Sequence, residues 1–303
     1  MKIEVKDYTY ETMPEYTDVV EGAKIYEYDL NHIYVDYITD IIYDIKDGHE
    51  LHLQILMPKI FNKKNLKFPG IIYVQGSAWM KQDCYRDIPN LSKLAARGYV
   101  IAIVEYRHSG IAKFPCPIID AKNATRFMKA NAEIYNMDKN NVFMMGNSSG
   151  GHVSSMAGMT SRTNLFDDPI NYETLDYKGI IDLYGSVELT LEYGFPTTVN
   201  HQLPDSPEGM EMGWNIREHM EETEIANSKT YAGYDFPPML IMHGTKDKTV
   251  FAQESVNLYE ACKKAGNDVQ FYLVKGSDHG GPGFVTEGIF DIYEEFFQYC
   301  MEK

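Results

Sequence analysis

Three side chains, far apart in the chain, are of the types that together cleave an ester or amide bond. Ser148 stands in Gly146-Asn147-Ser148-Ser149-Gly150, directly after the apolar run Val142 to Met145. A serine with a glycine two places away on each side suits a sharp strand-to-helix turn. A side chain at either glycine would collide with the neighbouring strand or helix. Such a turn holds a hydroxyl above a sheet, at the start of a helix. A serine hydroxyl is a poor nucleophile near neutral pH, so an imidazole must take its proton and a carboxylate must orient that imidazole. Asp247 follows the apolar run Met239 to Met242, and His279 follows the run Val269 to Val274. Both sit in polar loops just past strand-like segments, where they could meet Ser148.

The glycine–serine motif alone is weak, since a chain of this size contains it by chance roughly one time in ten. Its place between a strand-like and a helix-like run strengthens it. Each assignment has a competitor. Ser149 is next to the nucleophile, but the two-sided glycine spacing selects Ser148. His152 lies on the helix after the turn, from which it would have to reach back. Asp182, at the end of an earlier apolar run, and Asp278, beside the histidine, are alternative acids, although Asp278 is too near in sequence to support its own neighbour easily. His243 precedes the acid loop and reads as structural. The Asp, Glu and His residues show no metal-ligand spacing, so no metal is expected.

The elements that must position these groups alternate. Residues 32–57 read as two strands around the turn Lys46-Asp47-Gly48-His49, ended by Pro58. Short apolar runs at 71–74, 99–104, 179–184, 239–242 and 269–274 read as buried parallel strands. Helical spacing marks residues 88–97, 117–135, 150–162, 252–265 and 286–300. Strands alternating with helices predict a doubly wound, mainly parallel α/β sheet. Residues 185–236 break that rhythm and carry Pro196, Pro204 and Pro207. They read as an insertion over the C-terminal edge of the sheet, where ligands bind in such folds. Residues 1–31 read as an acidic N-terminal extension, and 32–303 as one catalytic domain.

Composition bounds the rest. The 303 residues carry 28 Lys and Arg against 44 Asp and Glu, a net of −16. Two segments hold the excess: residues 1–50 at −9 and residues 185–236 at −8, which leaves the remainder near neutral. Nucleic acid is therefore not an expected partner, because phosphate binding needs a basic surface. No run of 18 apolar residues occurs, so no membrane span is expected. The first residues lack an apolar leader, which points to the cytoplasm unless a leader has been removed. Cys84, Cys116, Cys262 and Cys300 are widely spaced and read as reduced thiols. The oligomeric state has no sequence signature.

With these residues in view, the chain from about residue 35 onward resembles the esterase/lipase branch of the α/β-hydrolases. It is most similar to short carboxylesterases related to bacterial feruloyl and acetyl esterases. The matching stretches are Gly146 to His152, His243-Gly244-Thr245-Lys246-Asp247, Asp278-His279-Gly280, and Leu94 to Arg107 with Phe114-Pro115 following. The chain order Ser148, Asp247, His279 is that of this family's triads. The resemblance implies cofactor-independent cleavage of small acyl or aromatic esters through an acyl-enzyme. It also implies an oxyanion loop after the third strand, usually His-Gly-Gly-Gly-Trp. Here that loop is Gln75-Gly76-Ser77-Ala78-Trp79. Backbone amides survive such exchanges, so Ser77, or Ala78, is expected to donate to a developing oxyanion together with Ser149. Gly76 and Trp79 are expected beside the substrate, with core packing an equal alternative for Trp79. Tyr184 and Tyr193 read first as core or surface residues, with a place in the pocket wall as the alternative.

Three rival readings stay open on sequence grounds. A serine peptidase or an arylformamidase could use the same fold, and a non-catalytic binding protein could retain the scaffold.

Overall fold

The computed structural model describes residues 5–18, 20–170, 172–191 and 197–303. Eight strands form one sheet in the order β1-β2-β4-β3-β5-β6-β7-β8. These are β1 (Ile33–Lys46), β2 (His49–Ile60), β3 (Phe68–Val74), β4 (Val100–Val104), β5 (Met137–Asn147), β6 (Gly179–Leu183), β7 (Met239–Gly244) and β8 (Val269–Val274). Only β2 runs against the others, antiparallel to both its neighbours β1 and β4; β4-β3-β5-β6-β7-β8 is parallel throughout. The chain has the α/β-hydrolase fold expected from its sequence.

The two-residue period of a strand explains why the central runs are apolar without a break. Ile71, Tyr73, Ile101, Ile103, Phe143, Met145, Ile181, Leu183, Leu240 and Met242 face one side of the sheet. Helices α1 (Ile88–Ala95) and α7 (Glu287–Met301) cover that side, through Leu91, Leu94, Phe290, Tyr293, Phe296 and Phe297. The alternate residues Ile72, Val74, Val100, Ala102, Val104, Val142, Met144, Ile180 and Ile241 face the other side. There α2 (Cys116–Ala130), α3 (Ser149–Met159) and α6 (Gln253–Ala265) pack. Arg97, just past α1, pairs with Glu287, Asp291 and Glu294 on α7 and ties these two helices together.

Two boundaries differ from expectation. Pro58 does not end β2, which continues to Ile60 with Pro58 opposite Val35. Beyond Leu56 the strand has left β4 and pairs only with β1, so on that open edge a missing N–H costs no ladder bond. Helix α2 stops at Ala130 rather than near Tyr135. The Asn131 side chain donates to the Phe127 carbonyl and closes the helix there.

Among the described residues, 185–236 hold only short helices, α4 (Pro207–Met212), α5 (Met220–Thr223) and single 3₁₀ turns. They lean on α3 and α6: Ala226 O contacts the His152 ring, and Glu188 accepts from Asn257. The described part of residues 5–31 has no helix or strand, and it meets the body through Tyr10 and Tyr28, whose rings stand edge-on to Phe61. Among the described residues, no helix is long and apolar enough to cross a membrane.

Candidate active site

Ser148 sits at the end of β5 and immediately before α3, with φ 54° and ψ −129°. That backbone is costly for a residue with a side chain and persists only where its surroundings enforce it. The flanking glycines enforce it. A Cβ at Gly146 would overlap the Gly150 carbonyl, and one at Gly150 would overlap the Val74 carbonyl of β3. The turn can therefore press against both the next helix and the neighbouring strand.

Three loops converge on the Ser148 hydroxyl. Ser148 Oγ lies 2.8 Å from His279 Nε2, and His279 Nδ1 lies 2.7 Å from Asp247 Oδ2. The Asp247 side chain is fully buried, whereas that of His279 keeps some exposure. Asp247 is strongly supported. Its Oδ1 accepts the N–H groups of Thr249 and Val250 at 2.8 and 2.9 Å. Its Oδ2 also lies 3.1 Å from His243 Nε2. Burial alone would raise the Asp247 carboxyl, but bonds from His243 and His279 and the charges of those rings hold it well below the usual carboxylate range. It is therefore an anion at any working pH, as a group that must orient an imidazole and stabilise its protonated form needs to be.

The competing residues are engaged elsewhere. Asp182 is buried, with Oδ1 accepting the Gly185 N–H and no partner on Oδ2 among the described residues. Burial pushes its carboxyl up to about 7, against the opposing effect of His243. Asp278 pairs with Lys248 and accepts the backbone N–H of His279. The His152 ring is buried against Trp79 and Phe114, with Nε2 at the Ala226 carbonyl.

The oxyanion loop calls for a correction. Ser77 N–H, the amide expected to face the oxyanion, donates instead to Ser149 Oγ at 2.9 Å. Ser77 Oγ in turn contacts Met80 O and Tyr106 Oη. The Ala78 and Ser149 N–H groups have no hydrogen-bond acceptor among the described residues. Ala78 and Trp79 both adopt positive φ, 56° and 53°, so the loop turns back on itself without the family's glycines. The reason for the switch is tertiary: the first residue of α3 reaches across and occupies the earlier amide. Gly76 donates its N–H to Asn147 Oδ1, and Asn147 Nδ2 donates to Tyr184 Oη. Asn147 thus ties the loop to the nucleophile turn. Its place between Gly146 and Ser148 was its only sequence signal.

Trp79 also departs from the substrate-facing expectation. It is 1% exposed, stands edge-on to His152, and belongs to the core on the α2/α3 side. A cleft of about 720 Å³ opens at Ser148, and Gly76, Ser77, Ala78, Tyr184 and His279 line its mouth. Its inner wall comes from Tyr73, Leu91, Leu94, Met145, Leu183, Phe290 and Tyr293, all on the α1/α7 side of the sheet. None of the described residues of 185–236 lines it. Tyr193 lies outside the described residues.

Against known proteins, the BD-FAE family model matches residues 53–262. The chain belongs to the BD-FAE family. Esterase LipC of Mycobacterium tuberculosis is 26% identical over 216 residues, covering 70% of this chain and 53% of that protein. The isoprenylcysteine alpha-carbonyl methylesterase ICME of Arabidopsis thaliana is 22% identical, covering 75% of this chain and 53% of its own length. This BD-FAE chain thus spans about half the length of the curated relatives it matches. A truncated carbohydrate esterase from gut microbiota superposes with a TM-score of 0.76 at 27% identity, covering 89% of this chain and 98% of the other. Thermogutta terrifontis esterase 2 shares the fold, with a TM-score of 0.68 at 22% identity over 89% of this chain and 95% of its own.

Proposed function

We propose that this chain is a serine carboxylic ester hydrolase acting through an acyl-enzyme on small ester substrates. The observation that carries the reading is the unbroken hydrogen-bonded path from Ser148 Oγ through both His279 nitrogens to Asp247 Oδ2. The esterase relatives and the carbohydrate-esterase neighbour support the same reaction class.

His279 Nε2 takes the Ser148 hydroxyl proton as Oγ attacks the ester carbonyl, and Nδ1–H stays on Asp247. The carbonyl oxygen becomes an oxyanion within reach of the Ala78 and Ser149 N–H groups, both free to donate. Collapse breaks the bond to the leaving oxygen, which receives the proton from Nε2. Water then gives a proton to Nε2 and attacks the acyl carbonyl; as this second tetrahedral intermediate collapses, the bond to Ser148 Oγ breaks, Nε2 returns the proton to Oγ, and the acid leaves.

The test is a substrate panel of p-nitrophenyl esters, anilides and formamides with a common aromatic leaving group. Ester turnover well above the other two supports the reading. Faster cleavage of anilides or formamides would move the chain to the peptidase or formamidase class.

A further inference from the structure

The inner half of the cleft holds one buried polar atom that no other described residue satisfies. Tyr293 on α7 is 1% exposed, lines the cleft, and its hydroxyl has no hydrogen-bond partner among the described residues. Among the described cleft-lining side chains no other carries a buried, unpartnered polar atom. The two other tyrosines that line the cleft are engaged: Tyr73 Oη donates to Asp87 Oδ2 at 3.0 Å, and Tyr184 Oη accepts from Asn147 Nδ2 at 3.1 Å. The same cleft wall combines apolar Leu91, Leu94, Met145, Leu183 and Phe290 with Arg86, Asp87 and Asn90. Burial keeps its phenol well above its ordinary value, so it acts as a neutral hydroxyl. Buried hydroxyls are normally paired, and a ligand atom that supplies the missing partner gains what the empty site lacks.

We propose that this chamber receives the acyl arm of the substrate and that Tyr293 Oη donates to an acceptor oxygen near the tip of that arm, which makes the enzyme select oxygen-bearing acyl groups over plain alkyl groups of equal length. The inference rests on the esterase reading above and names the substrate feature that reading leaves open. The acyl arm is the occupant because the alcohol must leave in mid-cycle and water must enter by its path. A group enclosed between α1, α7 and the sheet suits the part of the substrate that stays bonded to Ser148.

The experiment compares kcat/KM for p-nitrophenyl ω-methoxyalkanoates and p-nitrophenyl alkanoates of equal chain-atom count, from butanoyl to octanoyl length, in the wild type and in Tyr293→Phe. The account expects a preference of about tenfold or more for the methoxy ester at the matching length. It expects Tyr293→Phe to lower kcat/KM for the methoxy ester far more than for the alkanoate, so that the ratio of the two falls to about one. No preference at any length, a preference that survives in Tyr293→Phe, or an equal loss on both esters would overturn it; the last would make Tyr293 a packing residue. Absence of wild-type turnover on every ester would instead bring down the esterase reading, and this inference with it. Tyr73→Phe, whose hydroxyl already has a partner, should keep the preference, and its loss there would reassign the recognition to the Tyr73–Asp87 pair.

Discussion

His243 Nε2 lies 3.1 Å from Asp247 Oδ2, the same oxygen that binds His279. Both residues are fully buried at the end of β7, and His243 Nδ1 is in turn held by Ser255 Oγ at 2.7 Å. The Val250 carbonyl is a second acceptor at Nε2, which assigns the ring proton to that nitrogen. The acid of the proposed triad is thus fixed by its own buried imidazole. Replacing His243 with Phe removes a hydrogen bond to a buried anion. We expect kcat to fall roughly 10- to 100-fold with KM little changed. Steady-state kinetics alongside an unfolding curve will separate this from a general loss of fold.

The choice between the two buried aspartates yields a second prediction. Asp247→Asn should lower kcat by roughly ten-thousand-fold, because the imidazole then loses both its orientation and its counter-charge. Asp182→Asn should keep most of the activity, since Asp182 binds only the Gly185 N–H. Parallel kcat/KM measurements check this, and the opposite ranking would reassign the acid to β6.

Ser149 gives the third. Its hydroxyl holds the Ser77 amide, and its own N–H is one of the two unpaired donors at Ser148. Ser149→Ala keeps that N–H but releases Ser77 and loosens the loop carrying Ala78. Loss of one well-placed oxyanion donor costs about 3–4 kcal/mol. Partial loosening should cost less, roughly tenfold in kcat, with fluorophosphonate labelling of Ser148 still complete.

How much of this could be read from the chain differs by residue. Ser148, Asp247 and His279 each follow an apolar run that forms a parallel strand, so their places at one edge of the sheet were legible. The oxyanion loop was not. Whether Ser77 or Ala78 offers a free amide depends on a hydroxyl 72 positions away, which no local pattern encodes. The cleft wall was misjudged for a related reason. Helical periodicity marks Leu91 and Leu94 as buried, but it does not distinguish burial against a core from burial against a ligand chamber. The long insertion drew attention because it is irregular and acidic. Yet its described residues pack behind α3 and α6, away from the cleft.

The insertion does reach the acid loop, through Thr198 at the Lys248 carbonyl and through His201, and the second contact predicts a pH dependence. His201 Nδ1 lies 2.7 Å from Glu208 Oε1, and Nε2 lies 2.7 Å from the carbonyl of Thr249, two residues beyond Asp247. Burial would lower the His201 imidazolium, but Glu208 and the charge of Glu254 raise it from 6.5 to about 9. A histidine raised in the folded state contributes stability that is fully present below its unfolded value and is lost as pH rises through its folded one. Stability should therefore decline between pH 6.5 and about 9, by an amount on the order of 1–3 kcal/mol. In His201→Gln that part of the slope should vanish, as urea unfolding across the range will test.

The central claim is that Ser148 is the nucleophile. The most direct measurement treats the wild type and Ser148→Ala with a fluorophosphonate probe, locates the modified residue by mass spectrometry, and follows p-nitrophenyl acetate hydrolysis in the same samples. The account predicts one adduct, on Ser148, with hydrolysis lost in step with labelling and neither reaction in Ser148→Ala. An adduct on another residue, or turnover that persists in Ser148→Ala at the wild-type rate, would contradict it.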